Sequence, residues 1–139
     1  MFQCHYILNK SLDVLTLAYS CCYTVYRNET RKLGSTVKLT CGNKTWSEMF
    51  YTIWKIDLGY KQCIIQRSDD GRSKNSCKDE KTLGNTSTSE SYLSIPNLSI
   101  SDEGVYKCES AYKGGSENII YTLSVTGKTA ILTGHTIKN

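Results

Sequence analysis

The stretch Ser101-Asp102-Glu103-Gly104-Val105-Tyr106-Lys107-Cys108 constrains this chain more than any other, because its residue types restrict the backbone and the core together. Gly104 has no Cβ, so the chain can turn sharply there. Tyr106 stands two residues before Cys108, and alternation along a strand puts both on one face. A tyrosine so placed can sink its ring into a core and return its hydroxyl to the backbone of the preceding corner. Upstream, Gly34-Ser35-Thr36-Val37-Lys38-Leu39-Thr40-Cys41 alternates Val37, Leu39 and Cys41 with polar residues, the pattern of a half-buried strand. Trp54 comes 13 residues after Cys41, inside Phe50-Tyr51-Thr52-Ile53-Trp54-Lys55-Ile56.

The Asp-x-Gly-x-Tyr-x-Cys corner and the Cys…Trp…Cys order resemble strands B, C and F of an immunoglobulin domain. The resemblance implies an all-β fold, an immunoglobulin-like V-type β-sandwich of two antiparallel sheets with Greek-key connections. It further implies a disulfide between Cys41 and Cys108, Trp54 packed on that disulfide, and Tyr106 as the tyrosine corner. The separation of 67 between the two cysteines suits a variable-type domain with extra strands after C. The competing reading is a chance arrangement in another disulfide-linked β protein. Four independent features agreeing in order and spacing argue against it.

A length of 139 residues allows one such domain with short ends. Hydrophobic content of 39% with 22% charged residues and a single proline is globular composition. The net charge of +4 is mild, and no run of like charges is long enough to argue for nucleic acid. Seven cysteines in so short a chain argue for an oxidising compartment. A zinc site would need different spacing: there is no Cys-x-x-Cys pair, and His5 and His135 lie at opposite ends. Five Asn-x-Ser/Thr sequons, at Asn9, Asn28, Asn43, Asn85 and Asn97, point to secretion when set beside the cysteines. Asn9 would be lost with a cleaved leader, and Asn97 falls in a crowded turn just before strand F.

In chain order, residues 1–22 read either as a degenerate signal peptide or as an N-terminal extension. Their apolar run is interrupted by Asp13, and their basic residue Lys10 comes late. The V-type domain spans 23–127. Strand A takes Tyr23 to Lys32 at an edge, and strand B about Thr36 to Gly42. A loop with Asn43 and Trp46 comes next, then strand C from about Phe50 to Asp57, with Thr52, Trp54 and Ile56 inward. Strand C′ takes Lys61 to Arg67. Residues 68–76 form a polar loop with an Asp-Gly turn, and Lys78 to Leu83 supply strand D. Strand E is Ser91 to Pro96, where Leu93 and Ile95 face inward and Leu98 closes the core, to which Leu39 of strand B also belongs. Strand F runs from Gly104 to Tyr112, and strand G from about Asn118 to Val125, with Tyr121, Leu123 and Val125 inward. Strand G lacks the Phe/Trp-Gly-x-Gly bulge that antibody chains use in pairing. Residues 128–139 read as a polar tail or the truncated start of a next domain, with no apolar run of about 20 residues to span a membrane.

Cys63 and Cys77 are left over once the central pair is taken. Their spacing lets them staple C′ to the segment leading into strand D, which would contribute roughly 3 kcal/mol by loop closure; the alternative is two free thiols. Cys4, Cys21 and Cys22 stay unassigned.

A narrower resemblance lies in Ile53-Trp54-Lys55-Ile56-Asp57-Leu58, then Cys63, then Asn75-Ser76-Cys77-Lys78-Asp79-Glu80. This looks like the N-terminal domain of the receptor family for the OX-2 membrane glycoprotein. There, a Trp-x-Ile strand is followed about ten residues on by a cysteine, and an Asn-x-Cys-x-Asp-Glu segment supplies a second. The likeness covers roughly residues 33–126. Members of that family continue into a second immunoglobulin domain, a transmembrane helix and a tail, so a fragment, a soluble form and a diverged relative all stay open for this chain.

No catalytic constellation is present. Neither histidine can converge with a serine and an aspartate within the sandwich, and Asp69-Asp70 and Asp79-Glu80 read as solvated loop charges. No cofactor or metal is implied. Binding is the reading that is left. By alternation, the outward face of strands G, F, C and C′ shows Tyr51, Ile53, Lys55, Ile64, Val105, Lys107, Glu109, Ile120 and Thr122, with Tyr112 and Lys113 at its edge. Apolar side chains ringed by a few charges suit a protein contact. The resemblance implies a cell-surface domain on the external side of the plasma membrane, binding another immunoglobulin-superfamily glycoprotein such as an OX-2-type ligand. The alternatives are a soluble decoy using the same face and a homophilic adhesion module.

Overall fold

The computed structural model describes residues 24–41, 49–86, 90–113 and 115–127, and the backbone of 129–132 and 135–138. The strands are β1 (Thr24–Lys32), β2 (Val37–Thr40), β3 (Met49–Asp57), β4 (Gln62–Ser68), β5 (Ser73–Asn75), β6 (Thr82–Asn85), β7 (Ser91–Ile95), β8 (Gly104–Tyr112), β9 (Gly115–Thr126), β10 (Thr129–Leu132) and β11 (His135–Lys138). One sheet has the order β1-β9-β8-β3-β4-β5 and the other β2-β7-β6. All their pairings are antiparallel except β1 with β9, which run parallel in unbroken register from Thr24↔Asn118 to Lys32↔Thr126.

Strict alternation builds the core. Thr52, Trp54 and Ile56 on β3 are buried, as are Tyr106, Cys108, Ser110 and Tyr112 on β8 and Ile119, Tyr121, Leu123 and Val125 on β9. The other sheet meets them with Val37, Leu39, Leu93 and Ile95, and Leu98 closes the end. Trp54 lies in register with Cys108 on one side and Ile65 on the other. Its ring stacks on Tyr121 with centroids 6.1 Å apart. Cys41 and Cys108 are disulfide-bonded across the sandwich, with Cα atoms 5.8 Å apart. Cys63 is bonded to Cys77 at a Cα separation of 4.9 Å.

The corner before β8 is a single 3-10 turn, Ile100–Asp102. The Tyr106 hydroxyl donates to the Asp102 carbonyl at 2.6 Å. The backbone passes so close to β3 that a Cβ on Gly104 would collide with the Asp57 carbonyl oxygen. Lys81 is buried beneath this corner and donates to Asp102 and Asp79, each at 2.8 Å. Asp102 also accepts from the Ser99 N–H at 2.9 Å, so one carboxylate ties the corner to itself and to the lysine.

Burial works against the charge on Lys81, but its hydrogen bonds to Asp102 and Asp79 prevail and raise its pKa above the usual lysine value. Burial, reinforced by Asp102 and Asp79, pushes Tyr106 well above the usual phenol range. A group whose pKa is raised on folding stabilises fully below its unfolded value, and that stabilisation is lost as pH rises through the folded one. Denaturant titrations should therefore show a fall in stability above about pH 10, and Tyr106→Phe should blunt part of that fall. A flat profile from about pH 8 to 11.5 would contradict the coupling.

Four expectations change. Residues 68–76 are not all loop: Ser73–Asn75 adds β5 to the sheet edge beyond β4, joined by a turn in which Gly71 takes φ +83°. The strand after Cys77 starts later than expected, at Thr82, because Lys78 adopts φ +54° and the Asp79 side chain accepts from the Lys81 N–H, holding a turn there. Asp79 is no solvated loop charge, because Lys81 holds its carboxyl below the usual range against the opposing effect of burial. Finally, residues 128–139, expected as a polar tail or as the truncated start of a next domain, carry the antiparallel pair β10–β11. The leader or extension at residues 1–22 and the loop with Asn43 and Trp46 lie outside the described residues.

Candidate recognition face

Inward burial of alternate residues leaves a second set on the outside of the six-stranded sheet. Register aligns them in rows across the strands. One row runs Tyr26, Ile120, Lys107, Lys55, Ile64 from β1 to β4. The next runs Asn118, Glu109, Ile53, Gln66, Lys74, and the row on the other side runs Asn28, Thr122, Val105, Asp57, Gln62. Tyr51 extends the face at the far end of β3 and is exposed. Ile53, Ile64, Val105 and Ile120 are half-buried, their outer surfaces open between longer polar neighbours.

The face is sparsely paired. Lys55 Nζ lies 3.8 Å from Glu109 Oε2, the outer limit of an ion pair. Such an exposed pair contributes little to stability. Asp57 accepts from the Gly59 N–H at 2.9 Å and from the Gln62 side chain at 3.5 Å, which holds the turn between β3 and β4. Between β8, β3 and β4 lies a shallow depression of about 380 Å³ lined by Lys55, Asp57, Gln62, Ile64, Val105 and Lys107 among others.

The outward set expected from alternation thus shares one surface, with one exception. Tyr112 has the parity of Cys108 and turns inward, where it is buried, while Lys113 is exposed at the tip. Its place at the strand end pointed to an edge position, but the strand keeps its alternation through residue 112. Sequence alone does not reveal the Lys81–Asp102–Asp79 cluster, because 21 residues separate Lys81 from Asp102 and only the fold joins them. The signal available was Asp102 itself, a carboxylate in a corner packed on the core, which requires a cation.

Of the sequons, Asn28 lies on β1 with Val25 packed on the core, so the same alternation turns Asn28 to the outer face beside Thr122. Asn85 ends β6 and is exposed. Asn97 is exposed in a left-handed turn at φ +49°. Among the described residues no group of three or more His, Cys, Asp or Glu side chains is placed to hold a metal ion.

The family model described as "Immunoglobulin V-set domain" matches residues 25–127. The chain belongs to the immunoglobulin V-set family. That match begins within β1 and ends just past β9, so it encloses both disulfides and the whole outer face. Among solved structures, the extracellular portion of mouse CD200RLa aligns with 76% of this chain at TM-score 0.65 and 21% identity. This chain spans only 59% of that one. Tim-1 aligns with 77% of the chain, and with 97% of its own, at TM-score 0.57 and 19% identity. A chain from a structure titled for T cell specificity and activation by toxic shock syndrome toxin-1 aligns with 70% of this chain, and 92% of its own, at TM-score 0.55 and 15% identity. These likenesses establish a shared V-set sandwich. No curated protein matches the chain.

Proposed function

We propose that this V-set domain is an extracellular recognition module that binds another immunoglobulin-superfamily glycoprotein through the outer face of β9, β8, β3 and β4. The observation that carries the reading is the makeup of that face. Half-buried Ile53, Ile64, Val105 and Ile120 share the outer surface of the sheet with exposed Lys55, Lys107 and Tyr51. Apolar side chains interspersed with a few charges and an exposed tyrosine suit a protein–protein contact. The motif around Cys63 and Cys77, and the structural likeness to CD200RLa, an OX-2 receptor-like protein, favour an OX-2-type ligand and a role in regulating leukocyte activity. A soluble decoy would use the same face and differ only in lacking attachment to a cell.

Surface plasmon resonance of the folded chain over an immobilised OX-2-type ectodomain tests this directly. Saturable binding is expected, and Lys107→Glu should weaken it at least ~10-fold without lowering the melting temperature, since Lys107 is exposed. Unchanged affinity in the folded variant would remove this face from the interface. Self-association in sedimentation would favour the homophilic alternative.

A further inference from the structure

The centre of the recognition face sets like charge against like. Lys55 and Lys107 are direct cross-strand partners on β3 and β8. Opposed like charges destabilise an antiparallel pair. Nothing among the described residues of the face relieves them fully. Glu109 reaches only Lys55, at 3.8 Å, with both side chains about half exposed. Lys107 has no ion-pair partner among the described residues. Asp57, the other carboxylate in the neighbouring rows, is engaged by Gly59 and Gln62. Both lysines line the depression between β8, β3 and β4 together with Ile64 and Val105. Their row continues to Ile64 beyond Lys55 and to Ile120 beyond Lys107. Two lysines paired across the strands, lining one depression and flanked by apolar side chains, match an anionic group that arrives with apolar neighbours. Hydrogen bonds from ammonium to carboxylate are about twice as strong as neutral ones.

We propose that this depression receives an aspartate or glutamate side chain of a protein partner, held between the Lys55 and Lys107 ammonium groups, while apolar groups of the partner cover Ile64, Val105 and Ile120. The inference rests on the recognition reading of this face, but not on the partner being of OX-2 type. It explains why a repulsive pair stands at the middle of the sheet, since complementary charge across an interface fixes partner choice and speeds encounter.

The test has two arms, both on the full chain. Over an OX-2-type ectodomain that binds, the double variant K55Q/K107Q should lose at least ~10-fold in affinity and lose most of the salt dependence of the on-rate. Neutralising one acidic residue of the ectodomain should reproduce that loss, and the two changes together should cost no more than either alone. Wild-type affinity in K55Q/K107Q overturns the inference while leaving the receptor reading standing. If the ectodomain does not bind, the partner's identity fails and the second arm decides. There, acetyl-Gly-Glu-Gly amide is titrated into the domain while the lysine ammonium signals are followed by NMR. Saturable shifts of Lys55 and Lys107 with this peptide, absent with its glutamine counterpart, support the inference. No shift overturns it. A response to sialyllactose but not to the peptide also overturns it, and assigns the depression to an acidic glycan.

Discussion

Trp54→Ala should lower domain stability by about 3–5 kcal/mol, the range for removing a large buried aromatic side chain. Trp54 is fully buried at the centre of β3, with strands on both sides in register and Tyr121 stacked on its ring. Alanine would leave a void against the Cys41–Cys108 disulfide that β-strands locked into two sheets cannot collapse to fill. Its indole Nε1–H has no acceptor among the described residues, so volume and packing are what Trp54 supplies. Trp54→Phe should therefore cost much less. For a domain of this size the alanine variant should melt at least ~10 °C lower. Calorimetry showing a shift of only a few degrees would mean that the sandwich is not built around this residue.

Lys81→Met comes next in size. Methionine preserves much of the volume but leaves Asp102 and Asp79 facing each other without their cation, at a corner where Asp102 is nearly buried. Breaking a buried ion pair by removing one partner costs ~3–5 kcal/mol. The lower part of that range is expected here, because Asp79 keeps some contact with water. The cost has a pH signature. In the native protein the Asp79 pKa is lowered, so its contribution is present above the unfolded carboxylate value and is lost as pH falls through the folded one. The variant has no such contribution and gains from protonation. Its deficit, measured by urea denaturation, should thus hold at neutral pH and shrink as pH falls below the unfolded carboxylate value of about 4. Lys81→Arg should restore most of the stability. A pH-independent deficit would trace the loss to packing instead of charge.

Trp54 and Lys81 differ in how plainly the sequence announces them. Trp54, Tyr106, Leu39 and Leu93 could be placed because alternation with period two and the cysteine order are local signals that survive any detail of the loops. The face residues Tyr51, Ile53, Lys55, Val105, Lys107 and Glu109 followed from the same parity, as the complement of the buried set. Lys81 could not be placed, since its role depends on a contact between the start of one strand and a corner 21 residues later. The β5 strand escaped because three residues, Ser73-Lys74-Asn75, are all exposed and carry no apolar period; only pairing with β4 makes them a strand. Tyr112 misled for a different reason. Proximity to a loop tip is a statement about the strand's end, whereas burial depends on which side of the pleat a residue takes.

The parallel run of β1 along β9 also sets how the domain would answer tension. Thr24 lies beside Asn118, and Lys32 beside Thr126, so the chain enters at one end of this pair and leaves at the other. A pull applied ahead of Thr24 and beyond Thr126 would slide the two strands lengthwise, loading their hydrogen bonds together instead of peeling them one by one. Behind them, the Cys41–Cys108 bond would stop the chain between β2 and β8 from extending even after the sheets part. A domain wired this way yields abruptly, as a clasp does, and keeps the rows of its six-stranded sheet in register until it yields.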